Sequence, residues 1–216
     1  MTWGVFEEHA DRYDAWFDSP EGREIFEAEV KCLDTLLPRA RFGWVEVGVG
    51  SGRFAEALRI RKGLDPSPEM LRRAERRGIA TRQGTAESLP YDDSSLDGIL
   101  LAVTLCFLDE PKEALRDCAR ILKVSGQLLV GLVPANSSWG EFYRQKGKRG
   151  HPFYSEARFY TCEHTKSLAE SAGFEFAGAA STLASKPATG YTDITVAEGA
   201  REDYGFVGML FTTHAE

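Results

Sequence analysis

The chain has 216 residues, enough for one full α/β domain and few for two. Its 26 basic and 33 acidic side chains give a net charge of −7, which argues against a nucleic acid as partner, because non-specific phosphate binding needs a basic surface. No apolar run reaches the roughly 20 residues that cross a bilayer, and residues 1–12 do not resemble a secretory signal, so we expect no membrane partner and a cytoplasmic location. The four cysteines are widely spaced without a CxxC pair, which favours free thiols and predicts no metal site.

Helical periodicity dominates the first forty residues. Residues 6–17 mix aromatic and acidic side chains, and residues 21–37 place apolar side chains at helical spacing until Pro38 ends the run. These patterns predict an N-terminal helical cap over residues 1–40, within a single domain that covers residues 1–216.

Strand and helix patterns then alternate along the chain. The segments with strand-like composition are residues 44–47, 60–64, 79–82, 96–103, 127–133, 174–180 and 206–212. Helical patterns separate several of them, at residues 54–60, 67–78, 111–122 and 161–172. This order predicts an α/β fold with helices on both faces of a doubly wound, Rossmann-like and mainly parallel sheet. Such sheets bind their ligands at the carboxyl ends of the strands.

A glycine-rich turn follows the first predicted strand. Gly48, Gly50 and Gly52 allow the backbone to turn sharply and to approach a ligand closely, and Glu46 lies two residues before the first glycine. A dinucleotide fingerprint would need glycine or alanine at position 53, where the chain has Arg53. The third glycine therefore lies one residue earlier than in the fingerprint that binds nicotinamide nucleotides.

Two further segments accompany the turn. Asp65 ends the second predicted strand, where Rossmann-like folds place an acid that binds ribose hydroxyls, and Ser67 is the cap of the next helix. The stretch after Asp65 resembles the Asp-x-Ser-x-x-Met-Leu pattern of class I S-adenosylmethionine-dependent methyltransferases, and Glu-x-Gly-x-Gly-x-Gly resembles the first motif of that family. Residues 84–91 are similar to the family segment Gly-Asp-Ala-Glu-x-Leu-Pro-Phe that lines the adenine, with Thr85 in place of the aspartate.

The resemblance is to the small-molecule, type 11-like methyltransferases. It implies a sheet of seven strands with an antiparallel last strand, S-adenosyl-L-methionine as the cofactor, and in-line methyl transfer to an O, N or S atom of a small-molecule acceptor. The cofactor-binding residues that it implies are Tyr13, Glu46, Gly48, Gly50, Gly52, Asp65, Pro66, Met70, Thr85, Ala86, Glu87 and Ala102. Where many relatives carry Leu-His-His after the fourth strand, this chain has residues 105–107 as Leu-Cys-Phe, so no role of those histidines is carried over.

Residues 134–160 are rich in aromatic side chains and carry five basic side chains against two acidic ones. One interpretation is a lid over an anionic or aromatic acceptor, and the other is a solvated loop whose aromatic residues pack on the sheet. His151 and Tyr154 in this segment are the candidates for a general base. Two other classes of protein stay open at this point: a nicotinamide-dependent oxidoreductase and a non-catalytic S-adenosylmethionine-binding protein.

Overall fold

The computed structural model describes residues 2–187 and 194–213. The helices in these ranges are α1 (Gly4–Glu8), α2 (Ala10–Trp16), α3 (Pro20–Asp34), α4 (Arg53–Ala57), α5 (Pro68–Arg76), α6 (Pro111–Ile121), α7 (Ser138–Lys148), α8 (Pro152–Glu156) and α9 (Cys162–Ser171). The strands are β1 (Trp44–Val47), β2 (Lys62–Asp65), β3 (Ala80–Gln83), β4 (Leu96–Ala102), β5 (Leu122–Leu132), β6 (Phe174–Thr182), β7 (Ala197–Glu198) and β8 (Phe206–Thr213).

The strands form one sheet in the order β3-β2-β1-β4-β5-β8-β6-β7. Strands β1 to β5 pair in parallel, whereas β8 runs antiparallel to both β5 and β6. The predicted mainly parallel sheet with an antiparallel last strand is confirmed. The predicted number of seven strands is wrong, because the described residues form eight. The additional strand, β7, is a two-residue partner of β6 and is too short to leave an apolar pattern in the sequence.

Buried side chains cover both faces of the sheet. On β4, Ile99 belongs to one apolar cluster and Leu100 to the other, as expected for neighbouring residues of a strand. The first cluster packs on α6 and α9, which contribute Leu115 and Leu168. The second cluster packs on helices that include α3, which contributes Ile25. The sheet is therefore buried between two helical layers, which leaves its carboxyl edge for a ligand.

Local capping explains where two of the site-forming helices begin. Ser67 accepts a hydrogen bond from the Met70 N–H at 3.1 Å, and Pro68 occupies the first position of α5, which confirms the predicted cap. Ser19 caps α3 in the same way, since it accepts from the Gly22 N–H at 3.0 Å.

Helices α1 to α3 lie within residues 1–40, the segment predicted to form the N-terminal helical cap.

The predicted lid segment, residues 134–160, contains α7 and α8, which the aromatic pattern did not predict. Trp139, Tyr143 and Phe153 are buried, so these helices pack firmly on the rest of the protein. No helix within the described ranges is long and apolar enough to cross a membrane.

Candidate active site

The glycine turn connects β1 to α4 and lies against the end of β2. Gly48 and Gly50 have φ values of 72° and 51°, in the left-handed region that glycine adopts without strain. A Cβ on Gly48 would lie 2.3 Å from Cγ2 of Thr104, so a larger residue does not fit there. The Gly48 N–H donates to the Leu64 carbonyl and the Gly50 N–H donates to the Asp65 carboxylate, both at 2.8 Å. The turn is thus fixed to the neighbouring strand before any ligand binds.

Asp65 is a buried carboxyl group at the carboxyl end of β2, with 8% of its surface exposed. Its Oδ2 accepts from the Gly50 N–H, and its Oδ1 accepts from the Ser67 N–H at 2.9 Å. Burial raises the pKa of Asp65 to about 6, although these two N–H groups oppose the rise. Each carboxylate oxygen has a further lone pair, so the group can still accept from ribose hydroxyls, as the sequence predicts.

A first cavity of about 320 Å³ lies at the carboxyl ends of β1, β2 and β4. Ten of the twelve predicted cofactor-binding residues line it: Tyr13, Gly48, Gly50, Asp65, Pro66, Met70, Thr85, Ala86, Glu87 and Ala102. The separate sequence motifs therefore meet around one space, which is what a shared ligand requires.

Glu46 and Gly52, the other two predicted residues, do not line the first cavity. Glu46 is 1% exposed and its Oε2 has no hydrogen-bond partner. Burial raises the pKa of Glu46 well above its ordinary value, against the effect of the Ala55 N–H. Gly52 has a φ of 85°, and a Cβ there would lie 2.9 Å from Cα of Ala74 in α5. The structure thus gives Gly52 a place in helix packing and puts Glu46 away from the cavity surface.

The roof of the first cavity comes from α1 and the residues before it, which sequence reasoning missed. Trp3 and Phe6 line the cavity. Glu7 ties α1 to the start of α5, because its carboxylate accepts from the Ser67 hydroxyl and from the Glu69 N–H, the latter at 3.0 Å. A short helix with one acid and a few aromatic residues has no motif that would have marked it as part of a site.

The residues directly after β4 were also missed. Val103, Thr104 and Phe107 line the first cavity. Val103 has a φ of 56°, a left-handed conformation that is rare for a β-branched residue, and its N–H donates to the Gly131 carbonyl at 2.9 Å. Backbone strain of this kind is typical of functional sites, but it leaves no signature in the sequence.

An ionic network fastens the glycine turn to α2. The Asp14 carboxylate accepts from the Ser51 hydroxyl at 2.7 Å, from Arg53 at 2.8 Å and from Arg77 at 3.0 Å. Burial opposes ionisation of Asp14, but these hydrogen bonds outweigh it and lower its pKa to about 2. Arg53 also pairs with Asp18 at 2.8 Å. The network holds the helical cap in place beside the first cavity.

A second cavity of about 440 Å³ lies next to the first. The two cavities share a wall, formed by Phe6, Tyr13, Val103 and Phe107. About half of the remaining lining residues are aromatic, and the rings pack closely, as in the stacked pair of Phe6 and Phe153 with centroids 5.2 Å apart. The structure thus provides two adjoining spaces with little between them.

His151 and Tyr154, the predicted candidates for a general base, both line the second cavity. Their rings stack with centroids 4.4 Å apart. Burial lowers the pKa of His151, with further lowering by the charges of Arg12 and Lys146, so the imidazole is neutral at pH 7. Burial raises the pKa of Tyr154, which makes this phenol a poor base. Of the two candidates, His151 has the protonation state that proton removal requires.

The basic residues of segment 134–160 mostly lie away from the second cavity. Of the five, only Lys146 lines it, and the Lys146 Nζ lies 4.4 Å from the centroid of the Phe142 ring. Arg144 pairs with Glu141 at 2.6 Å, and Lys148 and Arg149 are exposed. The five basic residues of this segment therefore contribute one positive charge, that of Lys146, to the lining of the second cavity.

Over residues 2–187 and 194–213, no group of three or more His, Cys, Asp or Glu side chains could hold a metal ion. The cysteines at positions 32, 106, 118 and 162 are free thiols.

Comparison with known proteins identifies the family. The sequence profile of the family described as a methyltransferase domain matches residues 45–130. A solved S-adenosylmethionine-dependent methyltransferase from Thermotoga maritima, described as a possible histamine N-methyltransferase, is 38% identical, with a TM-score of 0.90 over 98% of this chain and 99% of that one. An uncharacterised protein of Methanocaldococcus jannaschii is 34% identical over 95% of this chain and 97% of its own length. Magnesium protoporphyrin IX methyltransferase from Synechocystis, solved with bound S-adenosylhomocysteine, shares the fold at 11% identity, with a TM-score of 0.69 over 97% of each chain.

The fold, the glycine turn and the acid at the end of β2 define a class I methyltransferase. With its identity and coverage to the Thermotoga protein, this chain belongs to the S-adenosylmethionine-dependent methyltransferases. The predicted family is confirmed, and the nicotinamide-dependent oxidoreductase is no longer an alternative.

Proposed function

We propose that this chain transfers the methyl group of S-adenosylmethionine to a small molecule that binds in the second cavity. The observation that carries the proposal is the wall shared by the two cavities, in which Tyr13 and Val103 border both spaces. A ligand in one cavity then lies beside a ligand in the other, as methyl transfer requires. Both volumes, about 320 and about 440 Å³, lie within the range of sites that hold small ligands.

The residues around the first cavity fit S-adenosylmethionine. The turn at Gly48 and Gly50 offers close backbone approach, and Asp65 offers free lone pairs for the ribose. The carboxyl group of Glu46 lies buried near the turn with its Oε2 unpartnered, and a cationic methionine end bound nearby would favour its ionised form. When bound, the donor supplies a methyl group that its sulfonium has already activated for displacement.

The protein itself would contribute position and a dry environment. α1 covers the first cavity, and the aromatic wall keeps water from the space between donor and acceptor. His151, which lines the second cavity and is neutral at pH 7, would take the proton that an O, N or S nucleophile loses. Under this proposal α7 and α8 act as the wall of the acceptor site.

The Thermotoga relative supports a small acceptor, because histamine, the molecule named in its description, is a small amine. The aromatic lining of the second cavity supports the same size class, since a macromolecular acceptor would need an extended surface.

A panel of small amines, phenols, thiols and carboxylates tests the proposal. Each probe is incubated with the protein and S-adenosylmethionine, and the S-adenosylhomocysteine produced is measured by mass spectrometry. We expect turnover with at least one chemical class. Calorimetry with S-adenosylhomocysteine checks the donor site independently. Binding without turnover of any probe would favour the non-catalytic alternative.

Filling the second cavity tests where the acceptor binds. Ala157 lines the second cavity and not the first, so Ala157→Trp should reduce turnover of an accepted probe about 100-fold or more and leave S-adenosylhomocysteine affinity unchanged. Ala177→Trp, on the exposed side of β6, is the matched control and should leave both unchanged. Undiminished turnover in Ala157→Trp would contradict the proposed acceptor site.

A further inference from the structure

Glu29 is a buried acid in the middle of α3 that the methyl-transfer chemistry does not use. Only 7% of the surface of Glu29 is exposed, and this side chain lines the second cavity. Among the described residues, no side chain forms an ion pair or hydrogen bond with its carboxyl group, and burial is the only cause that raises its pKa, to about 8. A buried carboxyl group without a partner is costly and calls for a ligand that would satisfy it.

Three tyrosine rings border the same space as Glu29. Tyr13, Tyr143 and Tyr154 line the second cavity, and Tyr143 stacks on Tyr154 with centroids 4.5 Å apart. The pKa of each phenol is raised, first by burial and further by the negative charge of Glu29, so all three lie within electrostatic range of this carboxyl group. Electron-rich aromatic faces around an acid are the arrangement that binds organic cations.

The positive groups of the cavity leave Glu29 unpaired. Arg12, Lys146 and His151 also line the space, but none forms an ion pair with Glu29. The Lys146 Nζ lies over the rings of Phe142 and Tyr143, Arg12 is exposed, and His151 is neutral at pH 7. The protein thus keeps its own cations away from an acid that it could have neutralised.

We propose that Glu29, with Tyr13, Tyr143 and Tyr154, binds a cationic nitrogen of the methyl acceptor, so that the acceptor is a protonated amine or a related organic cation that is methylated at another O, N or S atom with a free lone pair. The proposal rests on the proposed function and names its substrate class. A cation in this position gains an ion pair with the Glu29 carboxylate and cation–π contacts with the tyrosine rings, whereas a neutral or anionic molecule gains neither. The sequence predicts an anionic or aromatic acceptor, whereas this proposal names a cationic one, which can also be aromatic.

Three probes of similar shape test the charge preference. Phenethylammonium, 2-phenylethanol and phenylacetate are titrated by calorimetry into the protein saturated with S-adenosylhomocysteine. We expect the ammonium to bind about tenfold or more tightly than the alcohol, and the carboxylate to bind least. Equal affinity for the three probes, or no binding of the ammonium, would overturn the proposal.

Variants of Glu29 assign the preference to one side chain. Glu29→Gln should lose about tenfold or more of the ammonium affinity and leave the alcohol affinity unchanged, whereas Glu29→Asp, which keeps the charge, should retain part of the preference. Glu24→Gln, on the exposed side of the same helix, is the matched control and should bind like the unaltered protein. An unchanged charge preference in Glu29→Gln would overturn the proposal.

Measuring the protons released on binding distinguishes a cation-binding role of Glu29 from a purely structural one. With a pKa of about 8, Glu29 is mostly protonated at pH 7, and a bound cation should displace about 0.9 proton, measured as the dependence of the binding heat on buffer ionisation in phosphate and Tris. Because this proton comes from the Glu29 carboxyl group, Glu29→Gln should abolish the release. If these results are not obtained although the protein still binds S-adenosylhomocysteine and still methylates probes, only the cation site is refuted. If the protein does not bind the donor, the proposed function is refuted.

Discussion

Replacing Glu29 with glutamine should make the stability of the protein less dependent on pH. Burial raises the pKa of Glu29 to about 8 in the native state, against an ordinary value of 4.5. Between these two pH values the native state holds a proton that the unfolded state has lost. The free energy of unfolding therefore falls as the pH rises from 4.5 to 8 and changes no further above that range. Glutamine has no such proton, so its contribution is constant.

The size of the effect follows from the shift in pKa. Each unit corresponds to about 1.36 kcal/mol, and the linkage relation gives a loss of about 4 kcal/mol through Glu29 alone between pH 5 and pH 9. The raised pKa values of Asp65 and Glu46 add a slope of the same sign to the unaltered protein. Those contributions are present in Glu29→Gln as well and cancel when the two proteins are compared.

Urea denaturation of both proteins at pH 5, 7 and 9 measures this difference. Glu29→Gln should gain on the unaltered protein steadily with pH, by about 4 kcal/mol over the whole range. Glu24→Gln, which changes an exposed acid of the same helix, should show no such gain. A gain of less than about 1 kcal/mol would mean that Glu29 is not an unpartnered buried acid, and the reasoning from burial would be wrong.

Two further predictions concern the donor site. Asp65→Asn should weaken S-adenosylhomocysteine binding about tenfold or more in calorimetry. In the unaltered protein the affinity should fall as the pH drops below about 6, where the Asp65 carboxylate becomes protonated. An unchanged affinity in Asp65→Asn would show that the ribose binds elsewhere. Gly48→Ala and Gly78→Ala both place alanine at a positive φ, but only Gly48 has a side chain, Thr104, within 4 Å of the new Cβ. Gly48→Ala should therefore cost about 1–3 kcal/mol more in urea denaturation and alone should weaken donor binding, and equal costs would contradict the close approach at the turn.

The sequence predicted those parts of the site that are marked by short local motifs. The turn around Gly48 follows a visibly apolar strand, whereas Asp65 and the segment around Ala86 follow weakly apolar strands and are marked by their own motifs. Parallel strands bring their carboxyl ends to one edge of a sheet. For this reason the fold and the surroundings of the first cavity could be predicted. The two-residue β7 could not, because a strand so short has no periodicity.

The second cavity depends on contacts between segments that are distant in the chain. Glu29 lies in a helix whose other acids are exposed, so nothing in the sequence distinguishes it from a solvated residue. Tyr13 and Tyr154, which line the same cavity, come from two other helices and lie beside that space only through tertiary packing. The same applies to charge, because a count of the basic residues in segment 134–160 does not tell which of them line the cavity.

Arg53 occupies the position at which the sequence departs from a dinucleotide fingerprint, and in the structure it joins the glycine turn to α2 through Asp14. The departure from the motif and the attachment of the cap are therefore one feature. Anyone who builds a chimera, exchanging the helical cap for that of a relative to change the acceptor, would have to move Asp14 together with its partners Arg53 and Arg77. Those two arginines lie in the part of the chain that serves the donor, so the boundary between interchangeable modules runs through the glycine turn and not in front of it.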